Sequence, residues 1–158
     1  MSKVLRRLRH GLRDTGGAAM VEFAIACLVF CTVVAGIIDL GLAFYVRQVV
    51  TNASREGARY GVVYQTDANG NRITPNNLTQ PRGSIQNDVL NYYLSSTYLP
   101  AGSNPSVSVS GSGYTTGTMG QPVQVTVSAT YNWIMLDNLI PSLGNSTTIS
   151  ATTIMQCE

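Results

Sequence analysis

Gly17-Ala18-Ala19-Met20-Val21-Glu22-Phe23 opens the segment that decides the fold of this chain. A basic stretch, residues 1–17, ends in the glycine, and an apolar run follows that carries no charge from Phe23 to Ile38. Glu22, the fifth residue after Gly17, interrupts the apolar run near its start. A carboxylate in a membrane segment costs a few kcal/mol unless it finds a partner, so its position requires an explanation.

The apolar run is too long for an ordinary secretory signal peptide, whose core spans about 7–15 residues. It resumes after Asp39 and continues to Val46, which predicts a transmembrane helix over residues 18–46. From Ala18 to Asp39 a helix rises about 31 Å, which is roughly the thickness of the hydrocarbon layer. We therefore expect Asp39 at the outer interface, as a carboxylate at the water boundary.

The charges are divided unevenly along the chain. Residues 1–17 carry five basic side chains against Asp14, a net charge of +4, and residues 18–158 carry five arginines against seven acids, a net charge of −2. Basic residues before an apolar helix hold that end in the cytoplasm, so the remainder is expected outside the cytoplasmic membrane. The basic excess belongs to the leader, and no nucleic-acid partner is predicted.

Beyond the transmembrane run the pattern becomes amphipathic. Apolar residues spaced by three and four predict that the helix continues over residues 47–64 and packs against a domain. Gly57 belongs to the apolar face of this segment. Arg55 and Arg59 flank Glu56, which predicts a solvated face with local ion pairs.

Residues 65–158 predict one small extracytoplasmic domain, which makes the fold class α+β. Residues 65–83 are rich in Asn, Thr, Gly and Pro and indicate a long loop, and a second helix is predicted from Ile85 to about Leu99. From Ser106 onward the apolar period changes to two, in three runs separated by turn residues. This pattern predicts an antiparallel sheet of about three strands, packed on the outer half of the first helix.

No catalytic or metal-binding constellation is predicted in this domain. The only histidine, His10, lies in the leader, no Cys or His cluster has zinc spacing, and the glycines of residues 111–120 lack the Lys-Ser/Thr of a phosphate loop. In residues 67–71 the glycine stands fourth rather than sixth, so we predict a turn and not a calcium loop. We expect no enzyme activity, metal or cofactor, and we expect Cys157 to be a buried thiol.

Three stretches together resemble the TadE-like family, the pseudopilins of the tight-adherence (Tad, or Flp pilus) machinery: residues 17–24, 36–41 and 53–61. The first also resembles a class III signal of type IV prepilins, in which a prepilin peptidase cuts after the glycine. The resemblance implies cleavage between Gly17 and Ala18. In a helical bundle, Glu22 of one subunit can then pair with the Ala18 amine of its neighbour and fix their register during assembly.

The same resemblance implies a function, partners and a location. The residues that fall in its helix motif are Asp39, Arg55, Gly57 and Arg59. The implied function is that of a minor pseudopilin in the assembly, priming or tipping of a pilus used in surface adhesion and biofilm formation. The implied partners are the prepilin peptidase, other pilins and pseudopilins of the Tad system, inner-membrane platform proteins and membrane lipid. The implied location is the bacterial cytoplasmic membrane, crossed once, with the N-terminus in the cytoplasm.

Two other hypotheses remain open. The chain could be an adhesin-like binding module on a pilin stem, with the loops of residues 65–83 and 111–120 as its binding surface. It could also be an uncleaved, membrane-anchored extracytoplasmic domain with no role in a filament.

Overall fold

The computed structural model of the chain describes residues 15–79, 82–140, 142 and 144–158. Most of the predicted leader, residues 1–14, lies outside the described residues. The chain forms two compact units, the first up to Ile38 and the second from Asp39 to Glu158.

One long helix, α1, runs from Thr15 to Val62, and it ends two residues before the predicted position. It contains no proline, and its apolar residues from Gly17 to Ile38 are largely exposed. A helix that is apolar all round requires lipid or other helices as its surroundings. By length and composition, α1 is the one helix among the described residues that could cross a membrane, which is consistent with a single-pass anchor.

The second predicted helix is present but irregular and shorter than expected. An α-helical turn, α2, covers Ile85–Asn87, a π-helical turn covers Asp88–Tyr93, and a 3-10 turn covers Leu94–Ser96. The helix ends three residues earlier than predicted because hydroxyl groups near its end bond to the backbone. Ser96 Oγ donates to the carbonyl of Tyr92 at 3.0 Å, which competes with a continued helix.

The predicted three-stranded antiparallel sheet is confirmed. Strand β1 is Ser106–Ser110, β2 is Pro122–Asn132 and β3 is Ser146–Gln156, in the order β1-β2-β3. At the centre of the sheet, Val125 pairs with Val109 on one side and with Thr153 on the other. Period-two alternation gives β2 a fully buried inner face, which consists of Val123, Val125, Val127, Ala129 and Tyr131.

The outer half of α1 packs closely on this domain because two of its residues are glycines. A Cβ atom added to Gly57 would lie 2.5 Å from Cγ2 of Val89 and 3.3 Å from Cγ1 of Val125. A Cβ atom added to Gly61 would lie 2.5 Å from Cδ1 of Ile85. The remainder of this helical face is buried as well, through Val46, Val50, Ala53 and Ala58.

The connections between elements are short and locally bonded. Helix α3, Ser112–Thr116, lies between β1 and β2, and helix α4, Leu136–Leu139, lies between β2 and β3. Beside α3, the thiol of Cys157 is buried and its Sγ lies 3.6 Å from the carbonyl oxygen of Gly113, which confirms the predicted buried thiol.

The predicted turn at residues 67–71 is also confirmed. Asp67 Oδ1 accepts backbone hydrogen bonds from Asn69 at 2.9 Å and from Asn71 at 2.8 Å. These bonds lower the pKa of the Asp67 carboxyl group. The Asp67 carboxylate therefore stabilises the turn in which it lies.

We expect Gly57→Ala to destabilise the domain, although alanine favours a helix over glycine by about 1 kcal/mol. The added methyl group overlaps Val89, and overpacking of a buried site costs about 1–3 kcal/mol. The measurement is the thermal midpoint of the full-length protein in detergent, and adding Val89→Ala to the variant should restore it. Gly41→Ala is the matched control, because no atom lies within 4 Å of its added Cβ. Equal midpoints for the two alanine variants would contradict the close approach.

Candidate functional site

The predicted cleavage site lies at the start of α1, in the first unit. The Gly17–Ala18 peptide follows Thr15 and Gly16 in the first turn of the helix, and both of its residues are exposed. Each glycine costs a helix about 1 kcal/mol relative to alanine, so this turn opens more easily than the turns after it.

Glu22 lies one helical turn beyond Ala18 and is exposed. Among the described residues, no basic side chain forms an ion pair with it. Its carboxylate is therefore available, on an apolar helix surface, to a positive group of another molecule.

Asp39 is the best-organised polar residue of the second unit. Its side chain is buried, with a residue exposure of 1%. Oδ1 accepts a backbone hydrogen bond from Ile134 at 3.1 Å, and Oδ2 accepts from Met135 and from Leu136, each at 2.9 Å. The hydroxyl of Tyr131 donates to Oδ1 at 3.1 Å. We call this set of four hydrogen bonds the Asp39 clamp.

The clamp shows that our expectation of a water-exposed Asp39 carboxylate is wrong, because the carboxylate is buried among hydrogen-bond donors. The N–H groups of residues 134–136 precede and begin helix α4, where no turn of helix supplies an acceptor for them. A buried carboxylate is stable when several donors bind it, and here the backbone supplies three of the four. Asp39 therefore joins α1 to the connection between β2 and β3.

Tyr131 completes the clamp from the end of β2. Its ring packs edge-on against Trp133, with the ring centroids 5.2 Å apart. Burial, and then the hydrogen bond to Asp39, raise the pKa of Tyr131 to about 12. The hydroxyl is thus protonated at neutral pH and remains a donor. Extending the alternation of β2 by two residues would have placed Tyr131 inside, but nothing in the sequence connects it to Asp39.

The arginine pair of α1 lies on the helix surface. Arg59 binds Glu56 through two hydrogen bonds, from Nη2 at 2.6 Å and from Nε at 3.0 Å. The hydrogen bonds from Arg59 lower the pKa of the Glu56 carboxyl group. Arg55 is exposed. Ion pairs at the surface contribute a few tenths of a kcal/mol to stability. The pair of Arg59 and Glu56 therefore adds little to the stability of the domain.

Sequence reasoning missed a second buried acid. Asp88 has a side-chain exposure of 1%, and its Oδ1 accepts a hydrogen bond from Arg82 Nη1 at 3.1 Å. The same Nη1 atom lies 4.0 Å from Glu56 Oε1, and the Arg82 guanidinium lies 5.6 Å from the ring centroid of Tyr92. Because an isolated buried charge is costly, Arg82 is the residue that allows Asp88 to remain inside. The sequence signal that could have revealed this buried acid is the position of Asp88 within the otherwise apolar stripe of the second helix.

An open groove of about 590 Å³ lies next to this ion network. Apolar side chains and charged side chains both contribute to its walls, a combination typical of binding sites. The residues that line it are Glu56, Arg59, Tyr60, Val63, Gln65, Thr66, Ile73 and Arg82. Four of these eight belong to or adjoin the loop of residues 65–83.

The predicted site residues do not form one site. The first unit holds Gly17, Ala18 and Glu22, and the second holds Asp39, Arg55, Gly57 and Arg59. The second set is distributed over about 30 Å of helix, and each of its members has different neighbours. In the part of the chain that the structure describes, no three His, Cys, Asp or Glu side chains come together as a group able to hold a metal ion.

We expect Asp39→Ala to lower the free energy of unfolding by about 3 kcal/mol, because several buried N–H groups lose their acceptor. Tyr131→Phe removes one hydroxyl and leaves the carboxylate with its three backbone donors, so its expected cost is about 1 kcal/mol. Chemical unfolding of the full-length protein in detergent measures both values. If Asp39→Ala costs no more than Tyr131→Phe, the backbone part of the clamp contributes little.

The comparisons with known proteins concern α1. Residues 17–59 match the model of the family described as TadE-like protein. Neither the curated proteins nor the solved structures contain a match to the chain. The matched segment includes the three stretches on which the resemblance was based, except for residues 60 and 61, and so the predicted resemblance is confirmed. Residues 17–59 are thus similar to the TadE-like family, and this similarity suggests a pilin-like protein associated with the Tad pilus.

Proposed function

We propose that this protein is a minor pseudopilin that takes part in assembling, priming or tipping a Tad-type pilus, after a prepilin peptidase removes residues 1–17. The observation that carries the proposal is the exposed apolar first part of α1, which has Glu22 one turn after the Gly17–Ala18 bond. An apolar helix surface of this length is stable in lipid and in a bundle of similar helices, which are the two environments of a pilin.

Cleavage at this bond changes the charge of the helix end. The basic leader contributes +4, and its removal leaves a single positive amine at Ala18. Ala18 and Glu22 are four residues apart and therefore lie on one face of the helix. When such helices associate, the amine of one subunit reaches the carboxylate of the next at one longitudinal offset. A shift from that offset leaves a charge unpaired in an apolar environment, which is strongly unfavourable.

The outer part of the chain has a structural role in this proposal. Residues 53–61 and the Asp39 clamp hold the second unit together around its own part of α1. Other pilins, inner-membrane platform proteins and lipid are then the partners of the apolar surface. No catalytic step is part of the proposed function.

The N-terminal peptide from native membranes tests the cleavage. We expect its mass to begin at Ala18 when the prepilin peptidase is present and to include residues 1–17 when the peptidase is deleted. Gly17→Leu should prevent cleavage, because a large side chain then stands at the scissile bond. Gly16→Ala is the matched control and should be processed normally. An intact leader in both strains would contradict the prepilin class and favour the uncleaved membrane-anchored alternative.

Glu22 variants test the assembly role separately. We expect Glu22→Gln to be processed at Ala18 and inserted normally, yet to reduce the number of pili per cell at least about tenfold, because loss of a paired charge in a low-dielectric bundle is worth several kcal/mol. Glu56→Gln is the control, since that carboxylate is half-buried in the second unit and is paired with Arg59 of its own helix. Wild-type numbers of pili in Glu22→Gln would contradict a role for the carboxylate in assembly.

The groove of about 590 Å³ favours a second candidate function, an adhesin-like module on a pilin stem. Its volume lies within the range of small-molecule and peptide sites. Val63→Glu places a charge in the groove at a position that is already exposed. An adhesin would still build pili and lose surface attachment, whereas an assembly subunit would retain both.

A further inference from the structure

The connection between β2 and β3 exposes large apolar side chains directly beside the Asp39 clamp. Ile134 is 54% exposed, Met135 is 51% exposed and Ile140 is 44% exposed. Asp137, half-buried, is the only charged residue in residues 133–140. Neighbouring exposed apolar side chains of this size are typical of a surface that contacts a protein or a membrane. We call residues 133–140 the apolar connection.

The clamp fixes the position of the apolar connection along α1. Its backbone N–H groups at residues 134–136 lie within 3.1 Å of the Asp39 carboxylate oxygens. Asp39 in turn lies about 31 Å of helix beyond Ala18, which is the thickness of a hydrocarbon layer. A helix that crosses the membrane from Ala18 therefore places the apolar connection where the hydrocarbon ends and the headgroups begin.

We propose that the apolar connection rests on the outer leaflet, with the exposed side chains of Ile134, Met135 and Ile140 at the boundary between headgroups and acyl chains and the half-buried Trp133 beside them. Lipid is the occupant because α1 also exposes large apolar side chains within five residues of Asp39, at Leu40 and Phe44. Tryptophan is enriched at this depth of membrane proteins, and apolar side chains with a polar backbone nearby bind there. The contact holds the domain against the bilayer at a second point besides the helix.

The sole tryptophan of the chain makes the proposal testable without a mutation. Trp133 packs on Tyr131, a member of the clamp, so its fluorescence reports the position of the apolar connection. The full-length protein is reconstituted at a low protein-to-lipid ratio into vesicles of phosphatidylethanolamine and phosphatidylglycerol. One set of vesicles carries a nitroxide label near the headgroup, and another carries it near the end of the acyl chain.

We expect the shallow label to quench Trp133 at least about twofold more strongly than the deep label, as for an interfacial tryptophan. Ile134→Ser combined with Met135→Ser should reduce the shallow quenching. Ile154→Ser is the matched control and should leave it unchanged, because Ile154 is 61% exposed on β3, outside the connection. Stronger quenching by the deep label would overturn the assigned depth.

The inference rests on the membrane-spanning role proposed for α1, and vesicle flotation tests that role independently. A protein that floats with the vesicles while Trp133 is unquenched by both labels overturns the contact and leaves the membrane anchor intact. A protein that does not float overturns the anchor itself. Quenching that appears only on further dilution with lipid would mean that a second copy covers the connection, which also overturns lipid as the occupant.

Discussion

The second unit depends on the hydrogen bonds that the carboxylate of Asp39 accepts. It lies on a helix that is otherwise suited to an apolar environment, and burying it without donors would cost several kcal/mol. Three backbone N–H groups and the Tyr131 hydroxyl remove that cost. The same hydrogen bonds also stabilise the start of α4, because its first N–H groups obtain an acceptor that their own short helix does not provide. One side chain thereby determines where the connection after β2 lies against α1.

The two halves of α1 obey different packing rules. In the first unit, side chains face outward and the helix surface is apolar on all sides, with Glu22 as its one carboxylate. In the second unit, the helix is part of a protein core, where Gly57 and Gly61 allow the sheet and the second helical segment to approach closely. At the edge of this core, the buried side chain of Asp88 forms an ion pair with the exposed side chain of Arg82. The helix thus changes its surroundings near Asp39 without a break in its backbone.

Sequence patterns predicted the elements better than their contacts. The three strands follow from period-two alternation, and the long helix follows from an apolar run without proline, because both patterns are local. The predicted end of the second helix was wrong by three residues. Hydroxyl-to-carbonyl hydrogen bonds, such as that of Ser96, compete with a continued helix, and the two arrangements differ little in energy. The predicted environment of Asp39 was also wrong. Its partners are 92 to 97 residues away along the chain, and no local sequence pattern indicates such a contact. The family stretches identified the residue as notable without revealing its partners.

The length of that separation has a consequence for biogenesis. In a chain that is made from its N-terminus, Asp39 is synthesised well before its partners at residues 131–136, which follow it by 92 to 97 residues. Until they arrive, the carboxylate has no internal donors and remains hydrated. The sheet that carries the inner face of β2 is not complete at that stage either, because β3 follows β2 in the chain. The second unit therefore closes only after β3 has been made, so that a chain that stops before residue 146 stays open.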